Sequence, residues 1–156
     1  MADNISNTIA GILTQARDEI RANMQTQNIN ASGRTSAALQ VRQNGSRIEL
    51  VKEAGENAPF QTLQYGRAGG KVPAGFYYII KQWTRDKGLN FANETERGTF
   101  AYFVSRKIAR EGTRRHETHN TQVYSEPIKK AVESVGQEVR RYISQSVKAT
   151  IKANFR

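Results

Sequence analysis

Gly66 to Lys71, reading GRAGGK, is the stretch that comes nearest to phosphate chemistry. Glycines let backbone N–H groups wrap an oxyanion, and a following lysine would neutralise it. The spacing fails. With Gly70-Lys71 as the Gly-Lys pair, the leading glycine would have to stand at Tyr65, and Val72 replaces the hydroxyl residue that should follow. A flexible basic loop accounts for the residues better. His116 and His119, the only histidines, have the spacing of one helix face. They sit in a polar stretch with no third histidine and no acidic set to close a metal site. Cysteine is absent, which removes disulfides and thiolate ligands. Aspartate occurs only at 3, 18 and 86, in three different elements, and no Ser, His and Asp set has a local signature. These residues ask for no catalysis, metal or cofactor.

Charge says more. Lys and Arg number 24 against 14 Asp and Glu, a net charge of +10. Such a surface attracts nucleic acid, an anionic membrane or an acidic protein. The cations gather in two places, Arg106, Lys107, Arg110, Arg114 and Arg115 in one, Arg140, Arg141, Lys148, Lys152 and Arg156 in the other. Non-specific nucleic-acid binding would use such clusters with interleaved aromatics, and it stands as the alternative function. Against it, the aromatics fall on apolar helix faces, where they read as core. No apolar run approaches the roughly 20 residues that span a bilayer, and the N-terminus lacks the apolar stretch of a signal peptide. The expectation is a protein with no membrane contact.

The elements that position these residues follow from periodicity. At 156 residues the chain reads as one domain. Ile5, Ile9, Ile12, Leu13, Ala16, Ile20 and Met24 step by three or four and predict an amphipathic helix over 5–27, a core element that could also be lent to a neighbour. A polar connection over 28–36 follows. Asn44-Gly45 is the favoured type I′ pair, and folding about it sets Val41 opposite Ile48 and Leu39 opposite Leu50. All four then share one face of a hairpin, with Gln40, Arg42, Arg47 and Glu49 on the other. After a charged turn over 52–57, Pro59 opens an expected third strand, Phe60 to Tyr65, with Leu63 and Tyr65 as its inward pair.

The loop from Gly66 to Gly75 then feeds an aromatic helix in which Phe76, Ile79, Ile80 and Trp83 make one apolar face. Asp86-Lys87-Gly88 is its stop. Asn93 and Glu96 have capping-box spacing ahead of a helix with Phe100, Phe103, Val104 and Ile108 on one stripe, ended by Gly112. Residues 113–122 are polar throughout. The last helix runs from about Glu126 to Asn154, with Ile128, Val132, Val135, Val139, Tyr142, Ile143, Val147, Ile151 and Phe155 as its stripe. It is long enough to overhang the domain, so its basic C-terminal half should dock away from its own core. The class is α+β: a small antiparallel sheet, hairpin plus third strand, packed against an N-terminal helix, two middle helices and a long C-terminal helix.

The order of these elements resembles the tail-completion or neck proteins at the head–tail junction of tailed bacteriophages. The phrases that carry the resemblance are Ser32-Gly33-Arg34-Thr35, Tyr65-Gly66-Arg67, Ile80-Lys81-Gln82-Trp83 and Ile108-Ala109-Arg110-Glu111-Gly112-Thr113. The similarity spans about Ala31 to Val139. It implies a structural virion protein without catalysis or cofactors. It further implies a homo-oligomeric ring, six- or twelve-fold, between the portal or adaptor and the tail; the net charge of +10 would suit either genomic DNA passing through its lumen or an acidic neighbouring ring. On that reading the 66–75 loop, through Arg67 and Lys71, and the 113–122 segment, through Arg114 and Arg115, make inter-subunit or inter-ring contacts. Arg140, Arg141, Lys148 and Lys152 of the last helix are further candidates. Tyr65, Phe76 and Trp83 are expected in the core.

Overall fold

The computed structural model describes residues 2–29, 32–53, 60–114 and 122–154. In chain order the elements are α1 (Ala2–Thr26), α2 (Arg34–Ala37), β1 (Leu39–Asn44), β2 (Arg47–Lys52), α3 (Phe60–Tyr65), α4 (Phe76–Asp86), α5 (Glu94–Glu111) and α6 (Ser125–Asn154). The fold mixes helices with a two-stranded antiparallel sheet. Its residues gather into two compact units. One holds Met1–Asn23, Ala37–Gly55 and Val123–Arg156, the other Met24–Ser36 and Glu56–Gln122.

In the first unit α1 and α6 run antiparallel. Asn23 donates to the Val123 carbonyl at 3.0 Å, and Lys130 meets Glu19 at 3.8 Å. Asn4, Ile5 and Thr8 share a groove with Glu138, Tyr142 and Ala149. Ala16 and Ile20 of the predicted α1 stripe are buried, as is Met24, the stripe residue that falls in the second unit, so that stripe is read correctly. Leu39 at the start of β1 is buried too, and its carbonyl accepts from Arg21 at 2.8 Å.

The hairpin forms with the predicted faces and a shifted register. Val41 stands opposite Leu50, Gln43 opposite Ile48, and Leu39 opposite Lys52. The loop residues are therefore Gly45 and Ser46, where the sequence predicts Asn44 and Gly45. Gly45 has φ 59°, and Asn44 and Ser46 do not have positive φ. A positive φ at the first loop residue alone is the type II′ pattern, which takes glycine there. A slip of two residues preserves the alternation, so Leu39, Val41, Ile48 and Leu50 still share a face.

In the second unit the expected third strand is a helix, α3. Its sequence, FQTLQY, mixes the strand-favouring Phe60, Thr62 and Tyr65 with Gln61, Leu63 and Gln64, which suit a helix, so propensity does not decide it. Gly66, at φ 69°, ends it, its N–H bonding the Thr62 carbonyl at 3.0 Å. The stops of α4 and α5 are read correctly. Gly88 has φ 66° and donates to the Arg85 carbonyl, while Leu89 donates to that of Thr84, which together close a Schellman motif. Asn93 accepts from the Glu96 N–H at 2.9 Å, and the Glu96 carboxylate reaches back to the Ala92 N–H at 2.7 Å. This is a capping box displaced by one residue at its return bond.

Helix faces are where expectation and structure part. In α4 the buried residues are Ile80 and Thr84, while Ile79 is 54% exposed and Trp83 stands at the surface. In α5 they are Ala101 and Ser105, with Phe100 and Phe103 outside. In α6 they are Pro127 and Ala131, with Ile128 outside and Val132 67% exposed. Ile80 is buried as the pattern predicts, whereas Thr84, Ala101, Ser105, Pro127 and Ala131 each lie one residue from a large apolar side chain that the pattern favours. Small side chains at a contact let helix axes come closer. Tyr65 is half exposed, so it and Trp83 leave the expected core, whereas Phe76 is half-buried.

Candidate functional site

The Gly-rich loop is pinned, which corrects the expectation of a flexible segment. Ala68 pairs with Gly112 as an isolated antiparallel bridge. The Arg67 N–H donates to the Thr113 hydroxyl at 2.9 Å, and the Thr113 N–H returns a bond to the Arg67 carbonyl at 2.8 Å. Gly70 N–H donates to the Ala109 carbonyl at 2.7 Å. Two of the phrases behind the resemblance, Tyr65-Gly66-Arg67 and Ile108 to Thr113, are thus in direct contact.

Glycine is required on both sides of this joint. A Cβ on Gly69 would stand 2.5 Å from the Arg110 carbonyl oxygen. One on Gly112 would collide with the Arg67 carbonyl and lie 2.8 Å from the Gly69 nitrogen, at a φ of 85° that side chains resist. Sequence reasoning reads Gly112 as a helix stop alone. Its partner role, and those of Gly69 and Thr113, leave no local signal, because they arise from a contact between distant segments.

The candidate cations fare differently. Arg67 folds back on its own loop: its guanidinium donates to the Lys71 carbonyl and lies 5.7 Å from the centre of the Phe76 ring. Its Nε is buried with no hydrogen-bond partner among the described residues. Lys71 and Arg114 are exposed beside the joint. Arg115, His116 and His119 lie outside the described residues. Arg141 pairs with Glu138 at 2.6 Å, and Arg140, Lys148 and Lys152 are exposed along α6. The structure therefore brings the loop and the start of 113–122 together.

The two ends of α5 differ in charge. At its N-terminal end Glu94 meets Lys81 at 3.1 Å, Arg85 at 2.8 Å and Arg97 at 3.1 Å. The Lys81 hydrogen bond, then Arg85, holds the Glu94 carboxyl below its ordinary range. Arg97 also donates to the Thr84 hydroxyl and stacks 5.0 Å from the Phe91 ring centre, which locks α5 to α4. At the C-terminal end Glu111, lowered by its hydrogen bond to Arg110, is the one carboxylate among Arg106, Lys107 and Arg110.

Several large apolar side chains remain outside. Tyr78, Ile79 and Trp83 border a groove of about 570 Å³ that Met24 and Ile29 also line, with the Arg34–Asp86 ion pair (3.1 Å) at its edge. On α6, every residue from Ile143 to Asn154 is exposed, Ile143, Val147 and Ile151 included. Among the described residues no group of His, Asp and Glu could hold a metal ion, and no helix is long and apolar enough to cross a membrane. Set against protein-family models, curated proteins and solved structures, the chain finds no match.

Proposed function

We propose that this protein is a structural component of a phage virion. It forms a homo-oligomeric ring at the head–tail junction, joins the portal or adaptor to the tail, and stabilises the DNA channel without catalysis. The observation that carries the reading is α6. Its 30 residues make a helix of about 45 Å, and its last three turns hold Ile143, Val147 and Ile151 in solvent. An apolar row of that length on a protruding helix is expensive to leave bare, and such patches mark interaction sites. A ring closes through a heterologous contact, in which one subunit's projection meets a different surface of its neighbour. The exposed Tyr78, Ile79 and Trp83 supply apolar surface for a second side of such a contact. The joined phrases at 65–67 and 108–113 add the resemblance as support.

Negative-stain imaging of the purified protein and immunodetection in purified particles test this reading. Closed rings, and the protein's presence at the neck, are expected. Its absence from intact particles would refute the assignment.

A further inference from the structure

The pinned loop and the end of α5 assemble a surface that neither segment makes alone. Segments 66–75 and 106–114 carry six cations, Arg67, Lys71, Arg106, Lys107, Arg110 and Arg114, against the single carboxylate of Glu111. The bonds Gly70 N–H to Ala109, Arg67 N–H to Thr113 and Thr113 N–H to Arg67 hold the two segments side by side. Glu111 engages only Lys107 and Arg110. Lys71, Arg106 and Arg114 have no carboxylate partner among the described residues. Nothing comparable exists at the other end of α5, where Glu94 gathers three cations.

From this we infer that the rim formed by the 66–75 loop and the C-terminal end of α5 binds the phosphate backbone of duplex DNA, without reading sequence. Unpaired cations on a fixed backbone neutralise phosphates without a large ordering cost, and release of counterions drives the association. Phosphate contact is favoured over base stacking because the six cations lie on the joined segments themselves, while the exposed rings nearby, Tyr102 and Phe103, lie earlier on α5, with Arg106 5.9 Å from the centre of the Tyr102 ring. The inference deepens the ring reading and rests on it for the source of the duplex, which would be DNA in the lumen.

Fluorescence anisotropy with a labelled 30-base-pair duplex of arbitrary sequence, across a salt series, tests it. Two quadruple variants remove equal charge: Lys71→Gln, Arg106→Gln, Lys107→Gln and Arg114→Gln at the rim, and Arg42→Gln, Arg47→Gln, Lys129→Gln and Lys130→Gln elsewhere. The rim variant should weaken binding by more than about 10-fold at moderate salt and lower the log–log salt slope by about 3. The control set should change affinity by less than about 3-fold. Equal losses in both variants would mean that overall charge alone is responsible and would overturn the inference. So would unchanged binding by the rim variant, or tighter binding of the same strand when single. Light scattering on the same samples reports assembly separately. A monomer that binds through the rim would refute the ring and leave the rim standing. A ring indifferent to the rim substitutions would do the reverse.

Discussion

Helices α1 and α6 look alike as sequence and behave differently as structure. Each steps apolar residues by three or four along its length. In α1 no stripe residue stands in solvent: Ile5, Ile9, Ile12 and Leu13 are half-buried, and Ala16, Ile20 and Met24 are buried, Ile20 to 1% exposure. In α6 the middle of the pattern, Val135, Val139 and Tyr142, is half-buried, while Ile128, Val132, Ile143, Val147 and Ile151 stand in solvent; Phe155 lies outside the described residues. The reason is partly length. α6 runs on past Ala149, the last residue to share a groove with α1. The rest is orientation, since Pro127 and Ala131 face inward and turn Ile128 and Val132 away. An amphipathic stripe reports that a helix has something to cover it. It does not say whether the cover belongs to the same chain.

That contrast can be broken by substitution. The largest effect is expected at Ile20. Truncation to alanine in a closed core should lower unfolding stability by about 2–5 kcal/mol, read by chemical denaturation. Gly112→Ala probes the interior of the second unit. Its glycine-only backbone geometry and the carbonyl it faces should cost about 1–3 kcal/mol or more, visible as a drop in thermal midpoint. The same measurements on Ile143→Ser, Val147→Ser and Ile151→Ser should move subunit stability by less than about 0.5 kcal/mol each, as surface positions do. Those three changes should instead remove assembly. If they destabilised the subunit as Ile20→Ala does, α6 would be covered within its own chain and the contrast would collapse.

The smallest effect concerns charge. The folded Glu94 carboxyl lies below its ordinary value of 4.5. A lowered carboxylate contributes stability that is complete well above that value and is lost as pH falls through the folded one. Glu94→Gln should flatten this acid limb in a pH series of melting curves by lowering stability slightly near neutral pH, slightly because the site is exposed, and leaving it unchanged well below the folded value.

Much of the fold is legible in the sequence where the signal is local. The α1 stripe, the Gly88 and Gly112 stops and the Asn93 cap each depend on a few neighbouring residues, and each appears as expected. The hairpin faces survive because alternation is stored in the strands, while the register is decided by which residue pair takes the turn. The third strand is misread because Pro59 and the alternating Leu63 and Tyr65 suggest extension, and FQTLQY closes a helical turn onto Gly66 instead. Helix faces are misread in part: Ile80 of the predicted α4 face is buried as expected, but Ile79, Phe100 and Ile128 stand outside while Thr84, Ala101 and Pro127 are buried. The candidate site is the least legible part. Lys71 and Arg114 are visible as cations, but only the pairing of Ala68 with Gly112 brings their two segments together.

The central claim is that the outward face of α6 is covered by another subunit. Light scattering on the purified protein beside the Ile143→Ser, Val147→Ser, Ile151→Ser variant tests it most directly. The account predicts a discrete multimer for the unmodified chain and a 17.5 kDa monomer for the variant. A multimer of unchanged mass in the variant, or a 17.5 kDa monomer for both at every concentration and salt, would contradict it.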